Sequence, residues 1–164
     1  MKKLILFFLL ISLSSFSQKN LKQLLKKYNT ESVPYISVND LKKETEKVIL
    51  LDSREPKEFK VSHLKNATCV GYDNFDLNKT IQKLPSNKNT KIVVYCSLGI
   101  RSEDIAEKLK KAGYKNVYNL YGGIFEWKNQ DNTVVNSKNK PTKKVHTFNK
   151  DWSKWLLKGE KIYE

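Results

Sequence analysis

Lys91-Ile92-Val93-Val94-Tyr95-Cys96-Ser97-Leu98-Gly99-Ile100-Arg101-Ser102 is the stretch from which the rest of this chain can be read. Lys91 to Tyr95 is an apolar run of strand length, as expected of a strand buried on both faces. A helix is predicted from about Ser102 to Ala112, with Ile105, Ala106 and Leu109 turned inward and Gly113 as its C′ residue. Cys96 therefore ends a strand just before a helix begins, and open α/β sheets bind their ligands at that edge. Unpaired amides of the loop and of the helix's first turn face whatever the sulfur carries, and their positive field favours thiolate over thiol. Gly99 permits the positive φ that a curled loop needs. Arg101 brings a fixed charge for an oxyanion. Ser102 can cap the helix, and Ser97 supplies a second hydroxyl.

The same alternation runs outward in both directions. Asn20 can cap a helix with Leu21, Leu24, Leu25 and Tyr28 on one face, and Val33-Pro34 breaks it, which makes residues 18–34 an N-terminal helical segment. Tyr35 to Val38 is a short strand, and Ser37 or Asn39 caps a short helix running to about Lys47. Val48 to Leu51 is a second buried strand, and Pro56 with Glu55 and Glu58 suits a helix N-terminus. Ala67 to Val70 is a strand, Phe75, Leu77, Ile81 and Leu84 suggest a looser helix, and Asn116 to Leu120 is a last strand. Gly122-Gly123 then opens a helix carrying Phe125 and Trp127. Strands alternating with helices make an α/β domain with a mostly parallel sheet. Residues 130–144 turn polar and read as a surface excursion or linker, after which Val145 to Tyr163 regains Phe148, Trp152, Trp155, Leu156 and Leu157. Residues 131–164 are thus a lysine-rich, aromatic extension that packs on the domain.

Composition narrows the function. The chain has 164 residues, enough for one domain, and 39% are hydrophobic, which excludes disorder over most of the length. Two cysteines and two histidines exclude a disulfide scaffold and give no reason to expect a metal; no cofactor is expected. The net charge is +14, yet only Arg54 and Arg101 among the 31 basic residues are arginines. Readers of nucleic acid favour arginine, whereas dispersed lysine makes a solubilising surface, so no nucleic-acid partner is expected.

The N-terminus reads as an address. Lys2 and Lys3 precede the apolar run Leu4 to Leu13, and the small residues Ser15 and Ser17 place cleavage between Ser17 and Gln18. That apolar run falls short of the roughly 20 residues of a spanning helix. Residues 1–17 are therefore read as a signal peptide, and the mature chain as an exported, periplasmic or secreted protein without stable membrane insertion. A free thiol there is exposed to oxidation.

The residues from Cys96 to Ser102 resemble the active-site pattern C-x-x-G-x-R-S of the rhodanese-like sulfurtransferase family. Upstream, Asp52-Ser53-Arg54-Glu55-Pro56-Lys57-Glu58-Phe59 followed by Ser62-His63-Leu64 is similar to that family's D-x-R-x-x-x-E-[YF]-x-x-G-H-[IL] signature. Downstream, Gly113-Tyr114 and Gly122-Gly123-Ile124-Phe125-Glu126-Trp127 fit its closing elements. The likeness covers residues 35–130 in order and spacing. It implies a three-layer α/β fold with a mostly parallel five-stranded sheet and helices on both faces. It also implies Cys96 as the catalytic residue, a substrate loop of Ser97, Leu98, Gly99, Ile100, Arg101 and Ser102, and a supporting frame of Asp52, Arg54 and Glu58. His63 is expected to pack rather than to act as a base. Ser62 departs from the usual glycine and Lys65-Asn66 from the usual Pro-Gly, and Asn66 still tolerates the left-handed conformation of that turn.

Loop length selects the reaction. Cys96 to Arg101 is six residues, one fewer than in phosphatases of related fold, and suits a terminal sulfur rather than a phosphate. The expected chemistry is ping-pong transfer of a sulfane sulfur through a Cys96 persulfide. The expected partners are a small anionic donor such as thiosulfate and a thiol or cyanide acceptor, with a protein acceptor among the options. A non-catalytic docking module and a thiol redox sensor are the alternatives. The sensor lacks a resolving cysteine, because Cys69 is expected at the opposite sheet edge from Cys96 as a buried small side chain. The aromatic tail, with Trp152, Trp155 and Leu156 on one helix face, is expected to cover an exposed part of the domain; the competing reading has it border the Cys96 pocket.

Overall fold

The computed structural model describes residues 20–44 and 47–163, so the signal peptide expected over residues 1–17 lies outside the described residues. Two compact units emerge, one ending at Glu31 and the other running from Ser32 onward. In the first, residues 20–28 form helix α1, in which Leu21 and Leu25 are buried and Tyr28 is exposed. Tyr28 is thus not part of the buried stripe, since the last turn of a short helix is the easiest to leave in solvent. No described helix is long and apolar enough to cross a membrane.

The second unit is built around a parallel sheet. Its strands are β1 (Tyr35–Ile36), β2 (Ile49–Asp52), β3 (Thr68–Cys69), β4 (Ile92–Tyr95) and β5 (Val117–Leu120), in the spatial order β1-β5-β4-β2-β3. β4 is central and every one of its residues is fully buried, as its unbroken apolar composition requires. Helices α2 (Val38–Lys43), α3 (Pro56–Val61), α4 (Leu77–Gln82), α5 (Arg101–Lys111) and α6 (Gly123–Asn129) make the crossovers. Ser37 caps α2 by accepting the Asp40 N–H at 3.0 Å. Ile92 and Val94 of β4 share one apolar cluster with Ile105, Ala106 and Leu109 of α5 and with Leu77 and Ile81 of α4. Val93 and Tyr95 point to the opposite face, because side chains alternate along a strand. This is the five-stranded parallel α/β architecture expected from the family likeness.

Residues 130–144 are not a linker. Val134–Val135 and Pro141–Thr142 form the antiparallel hairpin β6–β7, closed by a turn in which Asn136 Oδ1 accepts the Lys138 and Lys140 N–H groups. Two buried valines anchor this polar stretch, and Val135 also bridges to His63 by paired backbone hydrogen bonds of 2.8 and 2.9 Å. The tail continues as β8 (Lys144–His146), a single 3₁₀ turn (Trp152–Trp155) and β9 (Glu160–Ile162), with β8 and β9 parallel. Three residues per turn put Trp152 above Trp155 and Ser153 above Leu156, so the expected shared face of Trp152, Trp155 and Leu156 does not form. Leu156 and Val145 are fully buried while both tryptophans are partly exposed.

Candidate functional site

The carboxyl end of the sheet gathers the site. Cys96 leaves β4 at this edge and α5 begins at Arg101, so residues 96–100 form a tight loop between them. Gly99 takes φ 106°, and its N–H donates to Cys96 Sγ at 3.1 Å. A side chain there would meet the left-handed penalty that only glycine avoids. Ser102 does not cap α5, because the helix starts one residue earlier than expected; it lies in the first turn, with its hydroxyl 3.5 Å from Sγ and 2.7 Å from Asn119 Oδ1. The sulfur thus has an amide and a hydroxyl beside it, and Cys96 borders a cavity of about 210 Å³. Cys96, Ser97, Leu98, Ile100, Arg101, Phe148 and Trp152 line that cavity.

Four features outside the loop hold it in place. Asn119, fully buried in β5, donates from Nδ2 to Gly99 O at 2.8 Å and accepts from Ser102, so one side chain ties the loop to the helix that follows it. The N-terminus of α6 donates to the loop from the other side, Ile124 N–H to Cys96 O at 2.9 Å and Phe125 N–H to Ser97 O at 3.2 Å. Gly123 makes this approach feasible: a Cβ at that position would lie 2.3 Å from Cys96 O and 2.7 Å from Ser97 C. Glu58 receives the Arg101 fork at 2.8 and 2.9 Å, and Ser97 Oγ lies 3.2 Å from the same guanidinium.

The expected frame of Asp52, Arg54 and Glu58 divides into two ion pairs. Arg54 is fully buried and meets Asp52 at 3.0 and 2.6 Å, with a further bond to Ser62 O at 2.6 Å. This pair ties the end of β2 to the end of α3, and Asp52 opposes Tyr95 in the sheet register. Glu58 instead belongs to Arg101. Burial works against the Glu58 carboxylate, but the Arg101 hydrogen bonds and charge, helped by Arg54, outweigh it and hold the group below the usual carboxylate range. Arg101 therefore reaches the cavity already paired, with its guanidinium 5.4 Å from the Phe148 ring.

His63 is a packing residue: its ring stacks on Phe59 with centroids 3.7 Å apart, and Nδ1 lies 2.9 Å from Phe59 O. Cys69 requires a correction. It pairs with Asp52, and Asp52 pairs with Tyr95, so Cys69 stands at the same carboxyl edge as Cys96, and it is half-buried rather than buried. β3 is only two residues long, so its start and end nearly coincide. One strand still separates the two cysteines, about 9.6 Å from two strand spacings, against the roughly 7 Å a disulfide tolerates. The tail also departs from the covering role expected of it, since Phe148 and Trp152 border the Cys96 cavity. Among the described residues, no group of His, Cys, Asp or Glu is gathered to hold a metal ion.

Asn119 and Gly123 have no role at the Cys96 loop in the sequence reading, whereas Phe148 and Trp152 at the cavity agree with the competing reading of the aromatic tail. The only trace of Asn119 is an amide inside the otherwise apolar Val117–Leu120 strand. Gly123 belonged to a recognised element, but nothing local pointed to its contact with Cys96.

The model of the Rhodanese-like domain family matches residues 37–130. A tRNA uridine(34) hydroxylase of Hamiltonella defensa is 38% identical over 92 residues, covering 55% of this chain and 26% of that protein. The protein of the same name from Cytophaga hutchinsonii is 35% identical over 86 residues, covering 52% and 28%. The chain thus spans about a quarter of the length of these curated relatives. A rhodanese-related protein from Thermoplasma volcanium superposes with a TM-score of 0.55 at 27% identity, covering 62% of this chain and 97% of that one. A thiosulfate sulfurtransferase from Pseudomonas aeruginosa gives a TM-score of 0.59 at 16% identity over 85% of this chain and 26% of that one, a likeness of fold.

Proposed function

This chain belongs to the rhodanese-like domain family, and from that premise we propose that it is a sulfurtransferase carrying a sulfane sulfur on Cys96. One observation carries the reading. Cys96 borders a cavity, with the Gly99 amide 3.1 Å from its sulfur, in a loop of the length that suits a terminal sulfur atom.

The Cys96 thiolate attacks the outer sulfur of a donor such as thiosulfate. The S–S bond of the donor breaks, sulfite leaves with the bonding pair, and a Cys96 persulfide remains. The Gly99 N–H supports the anionic sulfur, and its position is set before the reaction because Asn119 and α6 already hold the loop. Arg101, joined to Glu58 by two bonds, stiffens the far end of the loop. A thiol, or cyanide in an assay, then attacks the outer sulfur and restores the thiolate. Export to the cell envelope or beyond is part of this proposal and rests on residues 1–17.

The relatives' name supports a second reading, in which the substrate is a tRNA. The net charge of +14 favours it. Against it, both arginines are engaged with internal carboxylates, Arg54 with Asp52 and Arg101 with Glu58, leaving lysine to make any phosphate contact. Intact mass measurement after incubation with thiosulfate, beside a Cys96→Ser control, tests the first reading. It requires one added sulfur on the native chain alone. No added sulfur on a folded protein with a free thiol sinks thiosulfate transfer and shifts weight to another sulfur donor first, and then to redox sensing or docking. Salt-dependent retention of tRNA would then support the second reading.

A further inference from the structure

Residues 141–163 lie beyond the matched stretch 37–130, yet they supply two walls of the Cys96 cavity, Phe148 and Trp152. Phe148 is held there against its backbone preference. It has φ 66°, a left-handed conformation that a bulky aromatic residue adopts only when its surroundings impose it. The imposing contacts are the Phe148 N–H donating to Nδ1 of the buried His146 at 3.0 Å, and Asn149 N–H donating to Thr147 O at 2.8 Å. The ring remains about half exposed and faces the Arg101 guanidinium at 5.4 Å.

The rest of the cavity matches this wall. Leu98 and Ile100 add apolar surface, and the one cation in the lining, Arg101, is neutralised by Glu58. At about 210 Å³ the space has room for several water molecules, more than a five-atom oxyanion fills. A doubly charged anion gains little from aromatic and aliphatic walls beside a paired arginine, whereas an uncharged carbon group gains by leaving water. Resting on the sulfurtransfer reading, we propose that Phe148 and Trp152 form a subsite for the apolar organic group of a low-molecular-weight persulfide. The tail thereby selects organic over inorganic sulfur donors. The transfer is R–S–SH plus Cys96 thiolate giving Cys96–S–SH plus R–S⁻. The S–S bond of the donor breaks, a new S–S bond forms at Cys96, and the departing thiolate keeps the electron pair.

The test measures kcat/KM with benzyl hydropersulfide and with thiosulfate, cyanide being the acceptor for both, in the native chain and in Phe148→Ala and Trp152→Ala. Each variant is expected to lose tenfold or more with benzyl hydropersulfide, a loss at least threefold greater than its loss with thiosulfate. Phe148→Leu and Trp152→Phe, which keep an apolar wall, are expected to recover most of that loss. Equal losses with both donors mean that the two residues merely support the loop, and no loss with either means that they do not touch the donor; each result overturns the subsite. Intact mass separates this from the underlying reading: a native Cys96 that gains sulfur from neither donor overturns sulfurtransfer itself and the subsite with it.

Discussion

Replacing Gly123 by alanine is expected to disable the Cys96 loop without touching any side chain in the cavity. The added Cβ would stand 2.3 Å from Cys96 O and 2.7 Å from Ser97 C and O, all backbone atoms that cannot swing away. Ordinary C···O contacts begin near roughly 3.3 Å, so α6 and the loop must separate by about 1 Å. That movement breaks or weakens the bonds from Ile124 N–H to Cys96 O and from Phe125 N–H to Ser97 O. Two such bonds are worth about 0.5–1.5 kcal/mol each, and the left-handed φ of 55° adds roughly 1–2 kcal/mol for a residue with a Cβ. The expected loss of stability is therefore about 2–5 kcal/mol. A displacement of about 1 Å at a reacting centre can cost on the order of 10²-fold in rate, which sets the expected fall in kcat/KM. Gly113→Ala is the matched control: φ is 94° there, but nothing lies within 4 Å of the added Cβ. It should lose stability through backbone strain alone and keep its activity. Thiocyanate formation from thiosulfate and cyanide reads activity, and urea unfolding reads stability. If Gly123→Ala turns over within threefold of the native chain, the close seating of α6 on the loop is not what positions the sulfur.

Three further outcomes each rest on a single group of contacts. Glu58→Gln should cost about 2–3 kcal/mol by leaving Arg101 without its counter-charge, measured by urea unfolding. Because the folded-state pKa of Glu58 is depressed, its contribution is complete above the usual carboxylate range and is lost as pH falls through the lowered value; the variant should therefore show a shallower acid-side decline than the native chain. Asn119→Leu should leave Gly99 O without its donor and the Ser102 hydroxyl without its acceptor, lowering stability by about 2–4 kcal/mol and kcat more than it raises KM, which steady-state kinetics will separate. The Tyr72 phenol donates to Asp104 at 2.5 Å, and that bond, with burial and the Asp104 charge, pushes its pKa up to about 12. Its folded pKa is raised, so its stabilisation is full below about 10 and is lost as pH rises toward about 12; Asp104→Asn should bring the Tyr72 step down toward 10 in a tyrosinate difference titration against Tyr72→Phe.

The sequence by itself determined the parallel α/β class, because each apolar run and each amphipathic helix declares its own buried face within a few residues. It also determined the loop from Cys96 to Ser102, whose parts are neighbours in the chain and whose glycine, arginine and serines carry their chemistry in their residue type. What stands opposite that loop was decided only in the tertiary structure. Arg101 could have been joined to either acidic member of the upstream motif, and the fold chose Glu58 while Arg54 took Asp52. Cys69 could be assigned an edge only after the register of β3 against β2 was known, since strand pairing follows packing between elements and leaves no mark on a two-residue strand. Asn119, Gly123, Phe148 and Trp152 reach Cys96 from elements distant in the chain, and the periodicity of one element reports which of its faces is buried but not what is buried against it. The tail shows this most plainly. Its aromatic content required it to dock, but three residues per turn in place of 3.6 and a left-handed Phe148 decided which rings border the Cys96 cavity.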